Sequence, residues 1–363
     1  ENSKKWAADI QKNDLKFTPL ELVPAPKACS WVFKKNNDPQ AESDECVVWC
    51  PEIPDNVELR PLAHIAIREQ TMMTLVMMCL ADKVETLQGD PATEYEKVHE
   101  TGVVSYGNRL FCRYDDGKAV HSYGATTSYS KYFTDYQRFL ERPYYFAQQA
   151  SNEQDDEQEI FLVELDFSKF FDLVNRGLLV EKINFFAEAF SLEKRKSLNH
   201  LLAAFKQWQW TVEASSKFEE VCKSDKVTTA PLGLPQGLVA AGFLANVYLL
   251  EFDALLKEKI GKTLDDSEPS VKLLDYCRYV DDMRLVISAP KNNAENQIKQ
   301  VKKIVQNIIE GLLAETKLGL IINPDKTKVS VYRGRANGIS RELKKIQTRL
   351  SGPISFDEAN EQL

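Results

Sequence analysis

Residues 160–167 are a compact apolar run with Asp166 near its end, and residues 273–279 and 283–288 are two further short runs flanking Val280-Asp281-Asp282. A short apolar run bounded by polar residues reads as a buried strand. Two such runs around a tight acidic tip read as a hairpin, although Asp also suits turns for purely local reasons. If strand and hairpin share one antiparallel sheet, Asp166 and Asp281 are brought together from distant segments. Asp282 follows Asp281 along the backbone, so in an extended conformation it points the other way and is expected to play a supporting part.

The remaining pattern predicts an α+β fold, an antiparallel sheet with helices packed on one face. Residues 62–87 read as a helix, 102–124 as short strands or loops with aromatic and basic residues interleaved, and 126–149 as a helix with Tyr129, Phe133, Tyr136 and Leu140 on one face. Further helices are expected at 178–190, 192–210 and 238–256, the last entered through a Gly233-Leu234-Pro235-Gln236-Gly237 loop. Ile298, Val301, Val305, Ile308 and Leu312 recur at spacings of three and four, the mark of an amphipathic helix. Closing strands are expected at 318–322 and 328–332. Residues 1–55 are irregular, broken by Pro19, Pro24, Pro26, Pro39, Pro51 and Pro54.

The chain of 363 residues is long enough for two or three domains, and 43% hydrophobic with 28% charged residues is ordinary for a soluble globular protein. The longest apolar stretch, between Met72 and Leu80, is too short to span a bilayer and is flanked by Arg68 and Lys83. The opening residues lack the apolar segment of a secretory signal, and Glu1 and Leu363 both read as cuts through a longer chain. A net charge of −8 runs against the basic stripes usual in nucleic-acid binders, but a basic channel can lie on an acidic body. Five carboxylates within residues 151–159 read as a solvated loop. The seven irregularly spaced cysteines read as reduced thiols of a cytoplasmic protein; Cys46, Cys50 and His64 offer a zinc alternative that lacks a second cysteine pair.

Two carboxylates meeting from separate segments suit nucleotidyl transfer. That reaction uses two divalent ions, one activating a hydroxyl and one holding the triphosphate and leaving group. Mg²⁺ fits because it takes hard oxygen ligands and keeps positions open for phosphate.

In their order, these segments resemble the reverse transcriptases. Residues 161–172, Phe-Leu-Val-Glu-Leu-Asp-Phe-Ser-Lys-Phe-Phe-Asp, resemble that family's first palm motif; Leu234-Pro235-Gln236-Gly237 running into residues 244–249 resembles the second. Arg278-Tyr279-Val280-Asp281-Asp282 resembles the Tyr-x-Asp-Asp box, and Asn323-Pro324-Asp325-Lys326-Thr327 the motif that follows it. Arg60-Pro61 and Ser105-Tyr106-Gly107-Asn108-Arg109 resemble fingers motifs of the bacterial enzymes. The resemblance covers residues 59–330 and implies a right-hand polymerase: an N-terminal extension at 1–55, fingers at 56–158 and a palm at 159–335 with a helical insertion at about 190–230. Residues 336–363 would begin a thumb that is short, atypical or missing, with a basic helix at 341–350.

It also implies roles. Asp166, Asp281 and Asp282 would be catalytic, and Asp166, Asp281 and the backbone carbonyl of Phe167 would bind two Mg²⁺ ions, with Mn²⁺ as substitute. Phe171 would lie under the sugar and exclude a 2′-hydroxyl, though it also suits a core. Gln236, Lys326 and Arg109 would contact the nucleotide, and Arg60, Arg113 and Tyr279 the nucleic acid. Each arginine equally suits a surface ion pair, and Lys326 a solvated surface. The partners implied are dNTPs, an RNA or DNA primer-template, a non-coding RNA and a second copy of the chain, with no membrane.

Within the family, the Ser-Tyr-Gly-Asn-Arg-Leu segment at 105–110 and Leu238-Val239-Ala240-Ala241-Gly242 after the Pro-Gln-Gly turn resemble the abortive-infection and defence-associated enzymes of bacteria. Some of that group synthesise DNA without a template or from a protein hydroxyl. Two other readings remain at this stage: a catalytically silent nucleic-acid-binding scaffold, and an RNA polymerase or nucleotide cyclase on a related palm.

Overall fold

The structure, a computed structural model, describes residues 2–12, 14–26, 30–35, 47–52, 59–125, 127–153, 157–221, 232–264, 271–291 and 294–334. Cys46 with its zinc alternative, the basic helix at 341–350 and the thumb segment at 336–363 lie outside them. In chain order, the first half comprises helix α1 (Asn2–Ile10), strands β1 (Glu21–Pro26), β2 (Ser30–Lys35), β3 (Val47–Glu52) and β4 (Leu59–His64), helices α2 (Ile67–Gln88) and α3 (Val98–Thr101), the hairpin β5 (Cys112–Asp115) and β6 (Lys118–His121), and helix α4 (Tyr132–Glu153). Strand β7 (Gln158–Leu165) follows, then helices α5 (Phe170–Leu173), α6 (Arg176–Phe186), α7 (Leu192–Lys206), α8 (Val212–Val221) and α9 (Ala241–Lys257). Strands β8 (Lys272–Tyr279) and β9 (Asp282–Pro290), helix α10 (Ala294–Glu315) and strand β10 (Lys328–Val331) complete it.

Strand β7 is the apolar run singled out above. It lies inside an antiparallel sheet of order β10-β7-β9-β8. The expectation that helices cover one face only is corrected. Phe161, Val163, Leu165, Leu285 and Ile287 join the main core with α9 and α10, whereas Ile160 and Val286 pack on Ala147 of α4, and Cys277 packs on Phe139. Strands that are apolar on both faces need cover on both. Helix α9 is accordingly buried nearly all round, from Phe243 and Leu244 to Phe252 and Leu256, as expected of a helix in the middle of a core.

Two boundary expectations also shift. The predicted helix from residue 62 starts at Ile67, because Leu62 belongs to β4, which pairs with β1 over six positions. The predicted strand at 318–322 is reduced to one bridge, Phe167 with Ile322. Lys317 (φ 55°) and Gly319 (φ 66°) take left-handed backbone there and break the extended run. Among the described residues, no helix is long and apolar enough to cross a membrane.

Helix α4 is tied to the sheet by charge as well as by packing. Arg142 donates from Nη2 to Asp275 Oδ1 (2.7 Å) and from Nε to Oδ2 (3.0 Å), with both side chains almost wholly buried. His99 Nε2 lies 2.8 Å from the same Oδ1. The other Arg142 donors reach the Val103 carbonyl and the Tyr106 hydroxyl. Removing one member of such a pair leaves an uncompensated buried charge, which costs about 3–5 kcal/mol. Arg142→Met is therefore expected to lower unfolding stability by about that amount in urea titration; a loss below about 1 kcal/mol would show the pair to be dispensable.

Candidate active site

Register alone brings the acidic residues together. Leu165 pairs with Met283 and Tyr279 with Asp282, so the end of β7 and the tip of the β8–β9 hairpin share one edge of the sheet. Asp166 follows the last residue of β7, and Asp281 closes the hairpin turn. Asp166 lies near enough to bear on the charge of Asp281. Asp166 is buried, Asp281 half-buried and Asp282 exposed. Burial, then the charges of Asp166 and Asp282, push Asp281 up to about 7. Asp282 is raised too, by burial first and Asp166 second. Lys326 supplies the opposite charge: its Nζ stands 2.5 Å from Asp166 Oδ2, and that bond raises the ammonium's pKa.

The turn itself is strained. Val280 has φ 58°, a conformation that β-branched residues rarely adopt. A buried network holds it there. Arg278 makes a fork to Asp253 of α9 (2.7 and 2.9 Å) and donates to Asn246 Oδ1 (2.9 Å) and to the Val280 carbonyl (3.2 Å). Asn246 donates onward to the carbonyls of Gly107 and Asn108, and Tyr276 donates to Asp253. Gly107 lies directly under the tip; a Cβ there would sit 2.5 Å from the Val280 nitrogen and 2.7 Å from its Cγ2.

Residues 115–349 match the reverse transcriptase (RNA-dependent DNA polymerase) family, well over half of the chain. The chain belongs to that family. Its domain is that of a reverse-transcriptase-type nucleotidyltransferase, built on a mixed helix-and-sheet polymerase fold. It is similar to Protein YkfC of Escherichia coli (strain K12), with 26% identity over 193 residues, and covers 43% of that protein with 47% of its own length. The chain thus spans less than half of this curated relative. Among solved structures it is similar to apo telomerase from Candida Tropicalis truncated from the C-terminal domain, at 17% identity and TM-score 0.30, over 55% of this chain and 36% of that one.

Reverse transcriptase domains generally depend on divalent metal ions. Among the described residues, no group of three or more His, Cys, Asp and Glu side chains forms a ready metal cage. The donors at this edge are nevertheless hard oxygens of the right kind: the neighbouring carboxylates of Asp166 and Asp281, the exposed Asp282, and the carbonyl of Phe167. The bridge to Ile322 uses the Ser168 N–H and the Asp166 carbonyl, which accepts from Asn323 (2.7 Å), and so does not engage the Phe167 carbonyl. Neighbouring like charges, one of them driven towards protonation, fit a site completed by a cation.

The other expected site residues fall into three groups. Phe171 and Gln236 are brought together at the α5 turn, which begins four residues after Asp166: the Leu234 N–H donates to the Phe171 carbonyl (2.8 Å), and Gln236 Nε2 lies 3.4 Å from Asp172 Oδ1. Tyr279 is half-buried with its ring edge-on to Tyr136 (5.0 Å), and Arg60 and Arg113 are exposed on β4 and β5. Arg109 is corrected. Its side chain is fully enclosed, donating to Glu85 (2.7 Å), the Ser105 carbonyl (2.8 Å), the Tyr114 hydroxyl (2.9 Å) and the Gly89 carbonyl. Four of its five N–H donors are taken by protein groups and the side chain is walled in, which closes it off from a nucleotide.

Reading the sequence missed Arg278, Asn246, Asp253 and Gly107. The signal for the first three was present as charged and amide side chains inside otherwise apolar segments, which must find partners once buried. Gly107→Ala is expected to destabilise the protein by about 1–3 kcal/mol, because the added methyl would collide with both the backbone nitrogen and the side chain of Val280. Thermal unfolding would register this as a lowered midpoint, and an unchanged midpoint would refute the close packing.

Proposed function

We propose that the chain is a DNA polymerase of the reverse transcriptase type that adds dNTPs to a primer 3′-hydroxyl or a protein hydroxyl, copying RNA or working without a template. The observation that carries this reading is the convergence of Asp166 and Asp281 at one sheet edge, set by the pairing of β9 with β7 and with β8. Asp166, Asp281 and the Phe167 carbonyl would hold the two Mg²⁺ ions. Bound there, the ions would activate the attacking hydroxyl and neutralise charge on the triphosphate and leaving pyrophosphate.

The protein's own groups do the rest. The sheet edge fixes both carboxylates before substrate arrives, so little reorganisation accompanies reaction. Lys326, now against Asp166, is a cation within reach of the same edge and would meet charge developing on the leaving group. Phe171 would lie under the sugar. Gln236 would approach the base pair from a loop whose Gly237 (φ 118°) lets its backbone lie close against Ala63. Arg60, Arg113 and Tyr279 would line the path of the nucleic acid. In this reading residues 56–158 are fingers and 159–335 palm, working on nucleic acid in the cytoplasm.

Antiphage defence in bacteria is the proposed setting. The two segments that suggest it pack on each other: a Cβ on Gly242 would lie 2.5 Å from Asn108 Cγ. Residues 105–110 and 238–242 thus form one structural unit rather than two separate departures.

Primer extension with dNTPs and Mg²⁺ tests the chemistry. Asp281→Asn and Asp166→Asn are each expected to lower the rate by on the order of a thousandfold, the scale of losing a preorganised charge. Extension that survives Asp281→Asn would point to another site. Phe171→Ala is expected to raise ribonucleotide incorporation relative to deoxynucleotide by about tenfold, an effect of roughly 1.4 kcal/mol. An unchanged ratio would assign the ring to the core alone. Loss of phage protection by cells carrying Asp281→Ala would support the defence setting, and full protection would count against it.

A further inference from the structure

The loop carrying Gln236 is gripped from two sides by side chains that bond only to its backbone. On one side, the Gln70 carboxamide of α2 spans the turn: Nε2 donates to the Gly237 carbonyl (2.8 Å), and Oε1 accepts from the Val239 N–H (2.9 Å). The Ala63 N–H beside it donates to the carbonyl of Gln236 itself (2.6 Å). Thus the loop is fastened to α2 and β4 at Gln236, Gly237 and Val239.

On the other side stands Arg176, the first residue of α6. Its Nε donates to the Gly233 carbonyl (2.8 Å), and its Nη1 to the carbonyls of Phe205 (3.4 Å) and Trp208. The guanidinium also lies over the Phe205 ring, 5.2 Å from its centroid. It is 6% exposed, and Nη2 is buried without a hydrogen-bond partner. Among the described residues no carboxylate pairs with it. Its charge is instead met by carbonyls at the C-terminal end of α7, where a helix favours a cation. Burial pushes it down to about 10, which leaves it charged near neutrality. Burying an arginine without a carboxylate is costly, so the arrangement calls for a reason beyond packing.

That reason is the loop's seat. Gly233 is pressed onto the α5 turn so closely that a Cβ would overlap the Phe171 carbonyl, and the next residue donates to that carbonyl. Arg176 therefore pulls the start of the loop onto the residue proposed to lie under the sugar. Gln70 holds its end.

We propose that Gln70 and Arg176 are positioning residues that seat the Gln236 loop on Phe171 and so set the affinity for the incoming nucleotide and the choice of its sugar. This rests on the polymerase reading above. The fork geometry matters for Arg176, because lysine keeps the charge but cannot serve the carbonyls of Gly233 and Trp208 together.

Single-nucleotide incorporation by the full chain tests it with Gln70→Leu and Arg176→Lys. Each is expected to raise KM for a dNTP by about tenfold, the scale of a lost hydrogen-bond pair. The rate kcat should stay within about threefold of wild type, and the preference for deoxy- over ribonucleotide should fall. Because both act on one loop, the double variant should show less than the product of the two effects. A purely structural role would lower the amount of folded enzyme and leave KM and the sugar preference untouched. That result, in variants whose thermal midpoints show them folded, overturns the proposal. Gln70 is half-exposed, so its variant decides the matter if Arg176→Lys does not fold. Equilibrium dialysis of a dNTP provides a readout independent of chemistry. A wild type that binds dNTP without incorporating it would overturn the polymerase reading alone, with a tenfold weaker Gln70→Leu still supporting the loop seat; equal affinities would overturn the seat.

Discussion

Two neighbouring carboxylates repel each other, and the fold around Asp166 and Asp281 is arranged to keep both at one sheet edge. Asp166 is fixed because it ends the innermost part of a paired strand. Asp281 is fixed because Val280 is forced into left-handed backbone behind it. Strain of this kind costs of order 1–3 kcal/mol and persists only where surrounding structure over-determines it. Here the determinants are identifiable: the Arg278 fork to Asp253, the Asn246 bonds to Gly107 and Asn108, and the absence of a side chain at Gly107. Lys326 offsets part of the repulsion by bonding Asp166. A site that stores like charge and backbone strain together is poised for a cation, and the rest of the sheet can be understood as the frame that makes this tolerable.

What could be read from the sequence follows from how locally each feature is encoded. The strand ending in Asp166 and the hairpin around Asp281 were legible because both are short apolar runs whose pairing leaves few alternatives. The amphipathic helix α10 was legible from its spacing. The cover on both faces of the sheet was not, because Ile160 and Val286 need α4 above them while Phe161 and Leu285 need α9 below, and a run that is apolar throughout does not say how many layers it meets. The break at Lys317 and Gly319 was hidden for another reason: nothing in an alternating segment such as 318–322 tells whether its backbone stays extended.

Arginine shows the limit most clearly. Arg109, read as a phosphate contact, is locked to Glu85; Arg142 is locked to Asp275; Arg278 is locked to Asp253. All three are almost fully buried, and each joins segments distant in sequence. Their partners lie on other elements, so no spacing rule finds them. Lone arginines in a family of nucleic-acid enzymes invite a reading as phosphate contacts; in this chain these three instead tie buried elements to one another. Arg60 and Arg113 are exposed on the paired strands β4 and β5.

Arg176 differs from these three because it meets carbonyls and no described carboxylate, and the difference has a consequence for how the site can move. A carboxylate–guanidinium fork is stiff and charge-neutral. A guanidinium held by three carbonyls keeps its charge and has weaker, individually replaceable bonds. The loop it holds is also tied at its far end by an amide, Gln70, whose bonds are of the same modest strength. The acidic edge is therefore braced by strong buried pairs, while the Gln236 loop is fastened by several weak ones. That division matches the demands of the proposed polymerase: carboxylates that hold metal must not shift, whereas a surface that accepts each new base pair must adapt at every step.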